Sequence, residues 1–193
     1  MRKISLLFFD HSISKSLIIK AISEKFNHYI FDFKKEFRNQ LINEDDDLTK
    51  KIKLFLDSGN IIPSNLIEKF LKNKFNEIES PKILLTGFPT TIDQFLILEN
   101  IMECLKIEFE TIWYVRQNNP EDFMKEYFKD PKQKCWTDKF GEESIENWKE
   151  RFSKIQIFIT EIQKIILNTK WNIIEIDYEI QLDEKQIITK IND

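Results

Sequence analysis

The stretch Lys82 to Phe95, KILLTGFPTTIDQF, constrains the fold more than any other. Its apolar run, Ile83 to Leu85, has strand length and stops at Gly87; Phe88 and Pro89 turn the chain, and Thr91 and Asp93 bring helix-start chemistry. A buried strand that runs through a glycine turn into a helix is the unit of an α/β sheet. Such sheets bind ligands in the loops at the carboxyl ends of their strands.

The same alternation recurs along the chain. Strand-like runs lie at Lys3 to Phe9, His28 to Phe33, Phe109 to Val115 and Trp171 to Ile176. Helical spacing covers Ser14 to Phe26, Lys35 to Leu41, Asp47 to Asp57, Pro63 to Glu77, Thr91 to Leu105, Pro120 to Lys129 and Ser144 to Leu167. Asp130 to Glu142 has no clear periodicity and reads as loop, and Asp177 onward as a polar tail. The expectation is a three-layer α/β domain over residues 1–193, with about five parallel strands joined by right-handed crossovers.

Composition narrows the function classes. At 41% hydrophobic residues, and with no apolar run near the ~18 residues of a membrane span, the chain reads as soluble, globular and intracellular. A net charge of −4 leaves no basic excess to release counterions from nucleic acid. Cys104 and Cys135 give neither a disulfide framework nor metal spacing, which suits a reducing compartment. The apolar run of MRKISLLFFD is short and lacks a small-residue cleavage site, so it reads as a first buried strand rather than a signal peptide. His11 and His28 have no carboxylate partner or second ligand at useful spacing, and the acidic run Glu44 to Asp47 reads as a solvated loop and helix start.

LLTGFPTTIDQF resembles the LLDGFPRTxxQ segment of adenylate kinases and their nucleoside monophosphate kinase relatives, matching at Leu84, Leu85, Gly87, Phe88, Pro89, Thr91 and Gln94. Other matches follow in order. Leu56 to Pro63 resembles the family's MDAGxLVP turn, Arg38 stands at the arginine of TGDMLR, and Trp148 to Phe152 lies where the family reads KKRL. The resemblance implies a P-loop fold with a phosphate loop at Phe9 to Ser16, where Lys15 and Ser16 take the places of the family's lysine and serine or threonine. It also implies that Arg38 holds the acceptor's phosphate and that Gln94 reads its base.

Against that pattern, the chemistry is depleted. Phe9, Ser12 and Ser14 replace glycines that let backbone N–H groups converge on phosphate, so Phe9 or Ile13 is expected to fill the phosphate site. Thr86 replaces the acid that orders magnesium, and Thr90 replaces a clamping arginine. Tyr127 and Pro131 stand at two further arginine positions, the lid is reduced, and Arg151 alone survives of the downstream cluster. The expectation is a catalytically inactive adenylate-kinase-like domain that serves as a protein-binding subunit of a larger assembly, with no catalytic residue, metal or cofactor. The alternatives are a weak nucleoside monophosphate kinase using ATP and magnesium, and a nucleotide sensor that binds without turnover. Cys135, Trp136 and Phe140 form the expected partner contact, with neither nucleic acid nor membrane as partner. By analogy with relatives built into axonemes, the cilium is the preferred location, with cytoplasm and mitochondrion as alternatives.

Overall fold

The computed structural model describes residues 1–9, 15–117, 149–150, 152–165, 172–178 and 189. Its elements run β1 (Arg2–Phe9), α1 (Lys15–Phe26), β2 (Tyr29–Asp32), α2 (Phe33–Asn43), α3 (Asp47–Asp57), α4 (Ser64–Glu77), β3 (Lys82–Thr86), α5 (Ile92–Leu105), β4 (Ile107–Gln117), α6 over 152–165, and β5 (Ile173–Tyr178). The strands form one five-stranded sheet in the order β2-β3-β1-β4-β5, and every pairing is parallel. The α/β fold with its parallel sheet is as expected from the sequence.

Alternation along the strands divides the core into two layers. Ile4, Leu6 and Phe8 of β1, Ile83 and Leu85 of β3, and Ile112 and Tyr114 of β4 face α3, α4, α5 and α6. Leu7 and Phe9, Leu84, and Trp113 and Val115 face α1, where Ile18, Ala21 and Ile22 meet them. Parallel strands covered on both faces read as continuous apolar runs, which is why ISLLFF and KILLT show no polar alternation. Ala21, the single alanine of the chain, lies 3% exposed where α1 approaches the sheet.

Local chemistry sets the element ends. Asp32 accepts the Lys35 N–H at 3.1 Å and caps α2, so Phe33, expected at the end of a strand, begins a helix instead. Asp46 caps α3 through the Thr49 N–H at 2.7 Å, and Gln40 of α2 donates to the Thr49 hydroxyl at 2.9 Å, tying the two helices together. Pro63 sits at the N-cap of α4 rather than in its first turn. Among the described residues, no helix is long and apolar enough to cross a membrane.

Candidate functional site

Three strands end side by side at the candidate site. Their last residues are Phe9 in β1, Asp32 in β2 and Thr86 in β3. Thr86 aligns with Leu7 on one side and with Asp32 on the other. α1 leaves β1 for one face of the sheet, whereas α5, which follows β3, packs on the opposite face. Adjacent strands whose chains depart to opposite faces leave a crevice at their carboxyl ends, the place where open α/β sheets take ligands.

Lys15 and Ser16 open α1 at that crevice with accessible side chains, although protein atoms crowd the Lys15 ammonium and strip part of its hydration. The Lys15 ammonium stands over the Phe9 ring, 5.3 Å from its centroid. Burial, and then the neighbouring charge of Lys34, push Lys15 below its usual range, while Asp32 pulls the other way. Lys34 in turn packs beside Gly87, its Cγ 3.7 Å from where a Cβ on that glycine would stand. The fold therefore gathers Lys15, Asp32, Lys34 and Gly87 beside buried Thr86, which is 4% exposed. Phe9 is buried beneath α1 with Leu7, Ile18 and Trp113; residues 10–14, including Ile13, lie outside the described residues.

Gly87 has φ +77°, a conformation that costs an ordinary residue about 1 to 2 kcal/mol, so glycine is required there by backbone strain rather than by space. Phe88, 2% exposed, stacks on Phe33 at 4.9 Å and 26°. Phe33 stacks in turn on Phe37 at 5.5 Å, and each meets Phe70 nearly at right angles, at 5.8 and 5.2 Å. Four rings thus pack together beside the carboxyl ends of β2 and β3.

Thr91 caps α5 by accepting the Gln94 N–H at 3.3 Å, and Gln94 Oε1 accepts both the N–H and the hydroxyl of Thr90, at 2.8 and 3.0 Å. Gln94 and Thr90 are therefore brought together as a variant of the capping box. Arg38 is exposed on α2 and makes no hydrogen bond or ion pair among the described residues. Arg151, Tyr127, Pro131 and the expected contact segment with Cys135, Trp136 and Phe140 lie outside the described residues, as does the region expected to form a reduced lid.

Two groups at the crevice carried no sequence signal as site residues. Asp32 falls inside the strand read over His28 to Phe33, and Lys34 follows that run with no motif role of its own; only strand register and packing put them beside Thr86 and Lys15. An aspartate three residues before Lys35 at a strand-to-helix junction was the available clue to a cap.

A second polar cluster lies away from the crevice, and it corrects the reading of His28. His28 does have a carboxylate partner: its Nε2 is 3.0 Å from Glu110 Oε2 on β4 and 3.2 Å from Ser5 Oγ on β1. Lys82 holds the other Glu110 oxygen at 3.1 Å, with Lys3 at 3.9 Å. A carboxylate only accepts, so Nε2 carries the proton, and the buried Nδ1 is left with no partner among the described residues. Serine and carboxylate meet the same ring nitrogen, whereas a catalytic triad needs them on opposite nitrogens. Among the described residues no group of three or more His, Cys, Asp or Glu could hold a metal ion.

No family model matches the chain. Curated relatives do. An adenylate kinase of Borrelia duttonii (strain Ly) is 32% identical over 94 residues, 48% of this chain and 44% of the relative. The chain is similar to adenylate kinases. One from Staphylococcus epidermidis (strain ATCC 12228 / FDA PCI 1200) is 35% identical over 72 residues, 37% of this chain and 34% of the relative. One from Thermotoga neapolitana is 32% identical over 68 residues, 35% and 31% of the two chains. Each match spans less than half the length of the relative. The five-stranded parallel sheet is consistent with an adenylate-kinase-like P-loop fold.

Proposed function

We propose that this adenylate-kinase-like chain is catalytically inactive and serves as a protein-binding subunit of a larger assembly. The observation that carries this reading is the packing of Phe33 and Phe37 against Phe70 and Phe88 beside the carboxyl ends of β2 and β3, the end of an open α/β sheet at which ligands bind. The partly buried Phe33 and Phe37 put apolar side chains where a polar, charged substrate needs donors, and each aromatic contact adds about 0.5 to 1.5 kcal/mol to keep them there.

The residues at hand also fit magnesium poorly. Thr86 offers a hydroxyl, and the neighbouring Asp32 carboxylate already accepts a backbone N–H. Gln94 and Thr90 hold each other across the first turn of α5. Phosphoryl transfer depends on positioned charge, and each lost arginine clamp accounts for about 10³-fold or more in rate. A chain similar to a kinase but short of these groups retains a folded surface that others can bind.

A second reading, nucleotide binding without turnover or weak ATP:AMP transfer, draws on the ammonium of Lys15 crowded by that of Lys34. Two adjacent cations at a strand-end crevice suit a phosphate. Equilibrium dialysis of the purified chain with labelled ATP and magnesium separates the readings. The leading one expects neither retained ATP nor ADP formed from ATP and AMP; retention abolished by Lys15→Ala establishes the sensor, and product formation establishes the kinase. We propose a ciliary axoneme as the site of the assembly, by family analogy alone, with cytoplasm and mitochondrion as alternatives, and immunolocalisation chooses among them. Trp136, with Cys135 and Phe140, remains the proposed contact: Trp136→Ala should abolish incorporation into the native complex while leaving the melting temperature of the isolated chain unchanged.

A further inference from the structure

Among the described residues β2 is the edge of the sheet, hydrogen-bonded to β3 on one side only. Edge strands are blunted by shortness, charge, proline or a bulge, because their free N–H and C=O groups template another strand; β2 is short and ends on Asp32, but it carries none of the other devices. Tyr29–Asp32 reads YIFD, with no lysine or proline, and its register with β3 runs without a shift. Tyr29 and Ile30, on opposite faces, are 44% and 40% exposed.

Beside this edge lies a groove of about 430 Å³, lined by Tyr29 and Phe31, by Glu36 of α2, by Lys74 and Glu77 at the end of α4, and by Glu79 just beyond it. Lys74 is the one cation of that lining, and it is already claimed: its ammonium is 3.1 Å from Glu77 and 3.7 Å from Glu44. Burial would lower its pKa, yet Glu77, Glu44 and Glu36 together raise it above the usual range. Carboxylates therefore outnumber ammonium groups, and Glu79 has no cation partner among the described residues. Tyr29 adds an aromatic wall to which a cation is also attracted.

We propose that the free edge of β2 takes an extended basic segment of a partner protein as an added strand, with its lysines or arginines seated over Glu36, Glu77 and Glu79. Residues of a strand alternate in direction, so every second side chain of the guest lies on the groove side, while main-chain hydrogen bonds to β2 supply sequence-independent affinity. The excess of carboxylates selects the basic guest and disfavours acidic ones. This inference rests on the reading of the chain as a protein-binding subunit, and it adds the surface and the chemistry of the partner.

The test uses the full chain and a fluorescent peptide of about eight residues alternating lysine and valine. Two control peptides accompany it, one with glutamate for lysine and one with alternate backbone amides N-methylated. Binding by anisotropy is expected for the parent peptide alone. Glu77→Gln and Glu79→Gln, both at exposed positions, should each weaken it by about two- to fivefold. The β2 amides that face away from β3 should gain protection from hydrogen exchange. Equal binding of the glutamate peptide, undiminished binding of the N-methylated one, or no binding of the parent overturns the inference. Absent peptide binding in a chain that also lacks phosphoryl transfer overturns the edge alone. Phosphoryl transfer overturns the subunit reading, whatever the peptide does.

Discussion

Asp32 and Thr86 are register partners at the carboxyl ends of β2 and β3, so Thr86 has a carboxylate one strand away, and that carboxylate accepts the Lys35 N–H at 3.1 Å. Moving Asp32 toward a metal would uncap α2. On the proposed reading we expect no ADP from ATP and AMP in a coupled assay with magnesium, and none from Thr86→Asp either, because one added acid supplies no cation at Thr90 to clamp a phosphoryl group. Turnover in the usual range of about 1 to 100 per second would refute this.

The aromatic stack supports the fold as well as filling space. Phe88→Ala should destabilise the chain by about 3 to 5 kcal/mol in urea or thermal unfolding. A double-mutant cycle with Phe33→Leu should return a coupling of about 0.5 to 1.5 kcal/mol, since the rings stack at 4.9 Å. Additive losses would show that the stack contributes only buried area.

His28 makes stability depend on pH. Burial, the largest influence, holds it below its ordinary value of 6.5 even though the Glu110 hydrogen bond and charge pull it up. The folded state thus binds its proton less readily than the unfolded state, and the contribution is complete above about pH 6.5 and declines as pH falls below it. Glu110 is itself shifted: burial raises it, but hydrogen bonds from Lys82 and His28 prevail and leave it below its ordinary 4.5. Its contribution is present above that value and is lost as pH falls through the folded pKa. Urea unfolding from pH 8 to pH 4 should show a decline setting in near 6.5, and His28→Gln should remove that decline. A pH-independent midpoint between 8 and 5 for the parent chain would refute it.

Both ends of α5 can be tested by single changes of opposite sign. Thr91→Ala removes a cap and should cost about 1 kcal/mol. Lys106 ends the helix at φ 53°, a left-handed conformation, so Lys106→Gly should relieve strain and stabilise by up to about 1 kcal/mol. Melting temperatures that move in the same direction would contradict the assignment of these caps.

The elements themselves were largely legible. The boundaries of α3, Asp47 to Asp57, are as read from its acidic start and apolar spacing, and the glycine turn after β3 lies at Gly87. What could not be read was adjacency. Nothing in the sequence near His28 announces Glu110, because the two meet across β1, and only the order β3-β1-β4 brings Lys82 to the same carboxylate. The crevice was half visible: Lys15 and Thr86 come from motifs, whereas Asp32 and Lys34 enter through strand register and packing.

The strand order also sets a schedule for synthesis. β1 is translated before either of its neighbours, since β3 begins at Lys82 and β4 at Ile107. Until both have left the ribosome, Leu6, Leu7 and Phe8 remain unpaired apolar surface on a nascent chain, in the state where parallel sheets are slowest to close and most open to aggregation. The central strand of the finished sheet is thus the one that a chaperone has the longest opportunity to hold.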